Sequence, residues 1–288
     1  MKTDLLCQIR QALPTLSKSQ KTIARFITEH YEKAAYMTAA KLGQDTNVSE
    51  STVVRFAIEL GYDGYPALQE ALRDLVRTRS TAFQRLEITN DHIGKQRVLK
   101  CVLEDDISRI RQTLDEIDPR QFDRAVDLIC SARTVYIAGV RSTASLASFL
   151  YFNCNLVFPN VKLIATTSGN EMFEQMLHID RQDVLVAISF PRYSKCMIDA
   201  AKYAHENSAQ IVAITDSALS PIASFAQCTL TAKSDMVSFV DSLVAPLSLL
   251  NALIVAIARK RKTELAPVFD KLETVWDTYA VYDKENEN

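Results

Sequence analysis

The sequence is poor in the residues that phosphate loops, metal sites and disulfide frameworks need. Its 288 residues hold six glycines, and beyond Gly94 only Gly139 and Gly169 remain. There is no G-x-G-x-x-G and no Walker loop, so the close backbone approach to a nucleotide pyrophosphate that such glycines permit is excluded. Six cysteines stand far apart, with no C-x-x-C pair and no histidine cluster beside them. They read as reduced, mostly buried thiols of a cytoplasmic protein, and neither a metal nor another cofactor is expected. One long uncharged run, Ser242 to Ala258, is 17 residues and contains Pro246 and Asn251. A membrane span needs about 20 largely apolar residues, so a buried helix and no membrane partner are expected. The opening MKTDLLCQIRQ scatters charge through the stretch where a secretory leader would have an apolar core. Net charge is −2, and the first 80 residues carry 11 Lys and Arg against 9 Asp and Glu, which is no polybasic patch.

What is present divides in two. A chain of this length, 48% hydrophobic and 24% charged, suits two soluble domains. The first 80 residues show helical periods and no strand. Leu5, Ile9 and Leu13 sit four apart, and Ile23, Phe26, Ile27 and His30 follow an amphipathic stripe. Ser17 with Gln20 three residues on forms a capping box. In AAKLGQDTNVSESTVVRFAIELGY, the positions Leu42, Val48, Val53 and Phe56 have helix-turn-helix spacing. Gly43 permits close approach of the two helices, Asn47 tolerates a left-handed turn, and Ser49 caps the second helix. Glu50, Ser51, Thr52 and Arg55 face away from the apolar side, where base-reading and phosphate-holding groups belong. Arg55 suits a bidentate contact to guanine, while Lys41 and the hydroxyls of Ser49 and Thr52 suit phosphates. An αα-hairpin with a plain polar face has the same pattern.

VSESTVVRFAIELGYDGYPALQEAL resembles the amino-terminal helix-turn-helix of the RpiR family of bacterial transcriptional regulators. The pattern runs through Val48, Ser49, Thr52, Val53, Arg55, Phe56, Leu60, Gly61 and Tyr62, and the likeness covers roughly residues 1 to 77.

Arg77 to Gln96 is polar and without sustained period, a linker, and a helix is expected from about Lys95 to Ile117. Asp118 and Pro119 open the next helix. From Arg133 onward five short apolar runs alternate with helical stretches: Thr134 to Gly139, Val161 to Ala165, Asp183 to Ser189, Gln210 to Thr215 and Gln227 to Ala232. Their continuous hydrophobicity predicts strands buried on both faces of a parallel sheet. Ser220 and Pro221 are expected to cap and begin a short helix. The stretch from Phe239 reads as a buried helix ending in Arg259 to Lys262, and the last amphipathic segment, with Leu265, Phe269, Leu272 and Trp276, packs on the core or across a dimer. The expected architecture is an all-α helix-turn-helix domain (1–77), a linker and connecting helix (78–117), and an α/β three-layer sandwich with a five-stranded parallel sheet (118–288).

Ligands of such sheets bind at the carboxyl ends of the strands. The loops there, GVRSTAS, TTSGNE and SFPRYS, offer hydroxyls for an anion: Ser142 and Thr143, Ser168, then Ser189 and Ser194. Here the sequence resembles the SIS domain, a sugar isomerase module, over about Gln121 to Ala258. The resemblance implies that Ser142, Ser189 and Ser194 hold a sugar phosphate. The chain departs from the usual Ser-x-Ser-Gly-x-Thr loop by placing Pro191 and Arg192 where that loop has serine and glycine, flanked by Phe190 and Tyr193. Arg192 supplies a cation able to grip phosphate or carboxylate, with Tyr193 beside it.

Two functions compete. One is a regulator of sugar or amino-sugar metabolism, a homodimer or homotetramer that binds a double-stranded operator and is switched by a small anionic sugar-derived effector. The other is a sugar-phosphate isomerase with an accessory helical domain, which needs a positioned base. Only Glu171 and Glu174 after the second strand offer one, so no catalytic residue is assigned.

Overall fold

The structure is a computed structural model that describes residues 5–79, 98–166, 168–235 and 240–282. The chain parts into two compact units between Leu103 and Glu104, the short stretch 236–241 aside.

The first unit is helical: α1 (Leu5–Ala12), α2 (Lys18–Glu29), α3 (Tyr31–Ala34), α4 (Ala39–Asp45), α5 (Glu50–Glu59) and α6 (Tyr65–Arg79). Local chemistry sets its starts. The hydroxyl of Ser17 accepts the amide of Gln20 and the Gln20 side chain accepts that of Ser17, the expected capping box. Thr38 and Ser49 cap α4 and α5 by the hydroxyl alone, accepting the amides of Lys41 and Thr52. The apolar stripes converge on one core in which Ile9, Ile23, Ile27, Leu42, Val53, Phe56, Leu68 and Leu72 are fully buried. Tyr65 closes it from α6, its hydroxyl donating to Met37 O at 2.7 Å, and burial pushes its pKa up to about 12.

The second unit is a three-layer sandwich. Its parallel sheet comprises β1 (Val135–Gly139), β2 (Val161–Ile164), β3 (Val184–Ile188), β4 (Gln210–Thr215) and β5 (Cys228–Thr231) in the order β2-β1-β3-β4-β5. Five helices pack on the sheet. Strand residues alternate between two cores, as the period of two demands. Val135, Ile137, Val186 and Ile214 face a layer of α8 (Pro119–Ser131), α9 (Ala144–Val157) and α12 (Val244–Lys260). Tyr136, Leu185, Ala187 and Ala213 face α10 (Gly169–Gln175) and α11 (Lys195–Glu206). The helix α7 (Val98–Glu116) precedes α8, and α13 (Lys262–Thr278) closes the unit.

Burial on both faces holds for β1 and β3, and for β4 beyond its partly exposed Gln210, but not for the edges. Lys162 of β2 is exposed between half-buried neighbours, and β5 alternates buried with half-buried. An edge strand has a sheet neighbour on one side only, so runs of equal hydrophobicity end in unequal burial. Ser220 also differs from expectation: Pro221 enters a turn, the 3-10 turn Ala223–Phe225 follows, and the buried Ser220 hydroxyl caps nothing. The basic run after α12 is not a free helix end. Arg261 stacks 4.6 Å above the Phe158 ring and begins α13, of which only Leu265 is buried.

At the amino edge of the sheet, the Arg133 guanidinium holds Asp183, fully buried at the start of β3, at 2.7 Å and Asp180 at 2.9 Å. This fork joins the start of β1 to that of β3 and leaves the opposite edge to the loops.

Candidate functional site

In the first unit the site is the turn between α4 and α5. Gly43 leaves so little room that an added Cβ would lie 2.8 Å from Val48 O, and Val48 N–H donates to Gly43 O at 2.8 Å. Asn47 takes the turn with φ of 54°. With Val53 and Phe56 fully buried, α5 turns Glu50, Ser51 and Arg55 to solvent and leaves Thr52 half-buried. The Arg55 Nε–H donates to Ser51 O at 3.2 Å, which steadies the stem of this exposed side chain. Ser49 accepts the Thr52 amide at 3.3 Å and lies 2.9 Å from the Ser51 hydroxyl and 2.8 Å from that of Thr52. The three hydroxyls thus form one cluster at the helix start. On α4, Lys41 is exposed and pairs with Asp45 at 2.9 Å.

In the second unit the strand order decides the site. The chain leaves β1 towards β2 on one side and returns to β3 on the other, which opens a crevice at the carboxyl ends of β1 and β3. The loops after these two strands carry most of the expected effector residues. Gly139 ends β1 where an added Cβ would lie 2.6 Å from Thr143 O. Thr143 is buried, and its hydroxyl accepts Val140 N–H at 3.0 Å and lies within donating distance of Val140 O and Ile188 O. It therefore ties the loop after β1 to the end of β3. Ser142 is exposed beside it. Ser189 is buried, its amide bonded to Ile214 O. Ser194 is the N-cap residue of α11 without a capping bond, its hydroxyl 3.0 Å from Cys196 Sγ. Tyr193 donates to Asp216 Oδ1 at 2.8 Å, so it braces the loop against the end of β4. Ser168 is exposed at the start of α10 after β2, its amide bonded to the Thr166 hydroxyl at 3.0 Å, while that hydroxyl donates to Glu171.

The backbone of the SFPRYS loop carries the more telling feature. Arg192 has φ of 62°, the left-handed region that favours glycine, at the position where the resembled loop has glycine. An arginine here thus takes a backbone conformation that suits glycine. Arg141, in the loop after β1, has φ of 58° and is exposed like Arg192. Arginine side chains are disfavoured in this region, and such residues gather at functional sites. Arg141 and Asp216 escaped the sequence reading, because neither a positive φ in a non-glycine residue nor a partner 23 positions away leaves a local signal.

Comparison with known proteins agrees with this division. Residues 3–78 match the family model of the helix-turn-helix domain of the rpiR family, and residues 128–256 that of the SIS domain. The chain is 27% identical over 291 residues to the HTH-type transcriptional regulator HexR of Pseudomonas aeruginosa, covering 98% of this chain and 99% of that protein. To the HexR of Escherichia coli it is 26% identical, covering 79% and 77%. Among solved structures, the sugar isomerase domain of an RpiR transcription factor from Sphaerobacter thermophilus superposes with a TM-score of 0.59 at 25% identity, over 62% of this chain and 99% of that one. The Vibrio vulnificus NanR protein complexed with ManNAc-6P shares the fold, with a TM-score of 0.58 at 19% identity over 96% and 98%. The chain thus carries a helix-turn-helix domain of the rpiR family in its first unit and an SIS domain in its second.

Proposed function

We propose that this protein is a DNA-binding transcriptional regulator of sugar or amino-sugar metabolism, switched by a small sugar phosphate bound in its second unit. The observation that carries the reading is the coexistence, on one chain, of an exposed recognition-type helix and a switch-point crevice edged by arginines and hydroxyls. Residues 1–77 bind DNA, 78–117 connect, and 118–288 bind the effector. Arg55 reads a base edge, with Glu50 and Ser51 beside it. Lys41, Ser49 and Thr52 hold phosphates. Arg192, Ser142, Ser168 and Ser194 contact the effector, while Thr143, Ser189 and Tyr193 hold the loops that present them. The protein acts in the cytoplasm as a homodimer or homotetramer matched to a near-palindromic site. The names of the two HexR relatives support the regulatory role, and the NanR complex supports a phosphosugar in this fold.

An isomerase needs a base at the crevice. Among the described residues, His178 follows α10 and His205 lies in the last turn of α11, both on helices that lead back to the amino edge of the sheet, and Glu171 already accepts the Thr166 hydroxyl. The regulator is therefore preferred.

The test is duplex binding by fluorescence anisotropy, on operator fragments selected from genomic DNA and on scrambled duplex, with and without a panel of phosphosugars and sugar acids. The wild type prefers its selected fragments, one phosphosugar changes that affinity, and Arg55→Ala loses the preference while keeping non-specific binding. An effector that binds DNA-competent and DNA-incompetent states equally would shift nothing. Turnover of a phosphosugar, or no preference for any duplex, overturns the proposal.

A further inference from the structure

The buried residues of α7 are Arg109 and Thr113, neither of them apolar. A helix kept for stability alone turns an aliphatic stripe inward; here the inward side makes directional bonds instead. Arg109 pairs with Asp106 at 3.3 Å, and Asp106 accepts the Ser242 hydroxyl, just before α12, at 2.7 Å. Two turns on, the Thr113 hydroxyl accepts Lys233 N–H at 2.9 Å, and the Lys233 ammonium meets Glu116 at 2.8 Å. Hydrogen bonds weaken steeply off their geometry, so these contacts hold α7 in one register and break if it shifts.

From Thr113 the bonds continue to the crevice. Lys233 follows Ala232, whose N–H donates to Thr215 O at 2.8 Å. Thr215 ends β4, is fully buried, and donates its hydroxyl to Asp216 Oδ1 at 3.1 Å. The same oxygen accepts the Tyr193 hydroxyl at 2.8 Å. Tyr193 adjoins Arg192, whose left-handed backbone depends on what its neighbours hold. One line of bonds, none longer than 3.1 Å, thus runs along the carboxyl ends of β4 and β5 from the SFPRYS loop to α7. At α7 the two units also part: its residues up to Leu103 group with the first and those from Glu104 with the second.

We propose that this line couples the SFPRYS loop to α7, so that what disturbs the loop loosens the helix and the reverse. Tyr193, Thr215 and Thr113 are its positioning residues. Its use to the regulator rests on the effector reading above, since a ligand seated on that loop then acts on the helix that leads to the first unit. The coupling itself is measured without DNA or effector, so the two readings fail separately.

The experiment is hydrogen–deuterium exchange of the full chain, read by mass spectrometry, with each variant's fold checked by circular dichroism. Thr113→Val removes the acceptor for Lys233 N–H and is expected to speed exchange of the α7 amides from 105 to 116 about fivefold, the loss of one hydrogen bond. Thr113→Ser keeps the hydroxyl and exchanges like wild type. Tyr193→Phe, made at the far end, speeds the same α7 amides about twofold or more, and Thr113→Val speeds the amides of the SFPRYS loop in turn, because coupling is reciprocal. The double variant exchanges at α7 no faster than Thr113→Val alone, since the line is already cut. Thr166→Val, which removes a hydroxyl at the same edge but off the line, leaves α7 unchanged. An α7 indifferent to Tyr193→Phe overturns the proposal, and so do additive effects in the double variant. An equal response to Thr166→Val shows general loosening of the edge and also overturns it.

Discussion

At the scale of single residues, Arg192 places a cationic side chain on a backbone conformation that favours glycine. A left-handed arginine costs roughly 1–2 kcal/mol relative to a residue free of Cβ crowding, and the surrounding loop holds it there. Its neighbour Tyr193, bonded to Asp216, is part of that support. The side chain and the backbone can therefore be tested apart. Arg192→Gly relieves the φ of 62° and is expected to leave the melting temperature within a few degrees of wild type, since glycine's chain entropy of about 0.5–1 kcal/mol offsets the relief. The same variant is expected to weaken phosphosugar binding about tenfold or more, the loss of a charge-assisted contact. Isothermal titration calorimetry decides it, and full retention of affinity would remove Arg192 from the site.

At the scale of elements, the helix-turn-helix rests on one close approach. At Gly43 an added Cβ would meet Val48 O at 2.8 Å, against backbone rather than a movable side chain. Gly43→Ala must push α4 from α5, and overpacking of this kind costs about 1–3 kcal/mol. The expected result is an earlier unfolding of the first unit with DNA affinity falling alongside it, while effector binding by the second unit stays intact. Differential scanning calorimetry with both binding assays would show it. Much at this scale was legible in the residues. The capping box at Ser17, the cap at Ser49, the turn at Asn47 and all five strands depend on local spacing, and each lies where the spacing put it. The half-buried edges β2 and β5 were not legible, because hydrophobic runs record a strand but not its place in the sheet.

At the scale of the whole molecule, buried neutral groups tie folding to pH. Burial pushes the Cys154 thiol up to about 12, that of Cys228 up to about 11, and the Tyr65 phenol up to about 12. In the unfolded chain a thiol loses its proton near 8.5 and a phenol near 10. Between those values and the folded ones, the native state holds more protons than the unfolded state, so stability falls as pH rises. It is complete below about pH 8.5, declines through the alkaline range and is fully lost from these groups near pH 12. Urea midpoints measured at neutral pH and at increasing alkalinity are expected to fall for the wild type. Cys154→Ala is expected to fall less steeply in that window, from a lower starting stability, and a parallel decline would show that this thiol contributes nothing.

By itself the sequence determined the two-part order of the chain, the helix-turn-helix and its outward side chains, and the parallel α/β class with loops rich in hydroxyls. These follow from periods, caps and runs, which are properties of neighbours along the chain. The tertiary structure decided the rest. Strand order, set by which strands exchange hydrogen bonds over long separations, put the loops after β1 and β3 on one crevice. The same packing held Arg141 and Arg192 in a conformation their residue type disfavours, turned Thr143 inward to join two loops, and strung bonds from Tyr193 through Thr215 to Thr113 of α7. Each of these depends on groups brought together by folding, and no local pattern encodes which groups will meet.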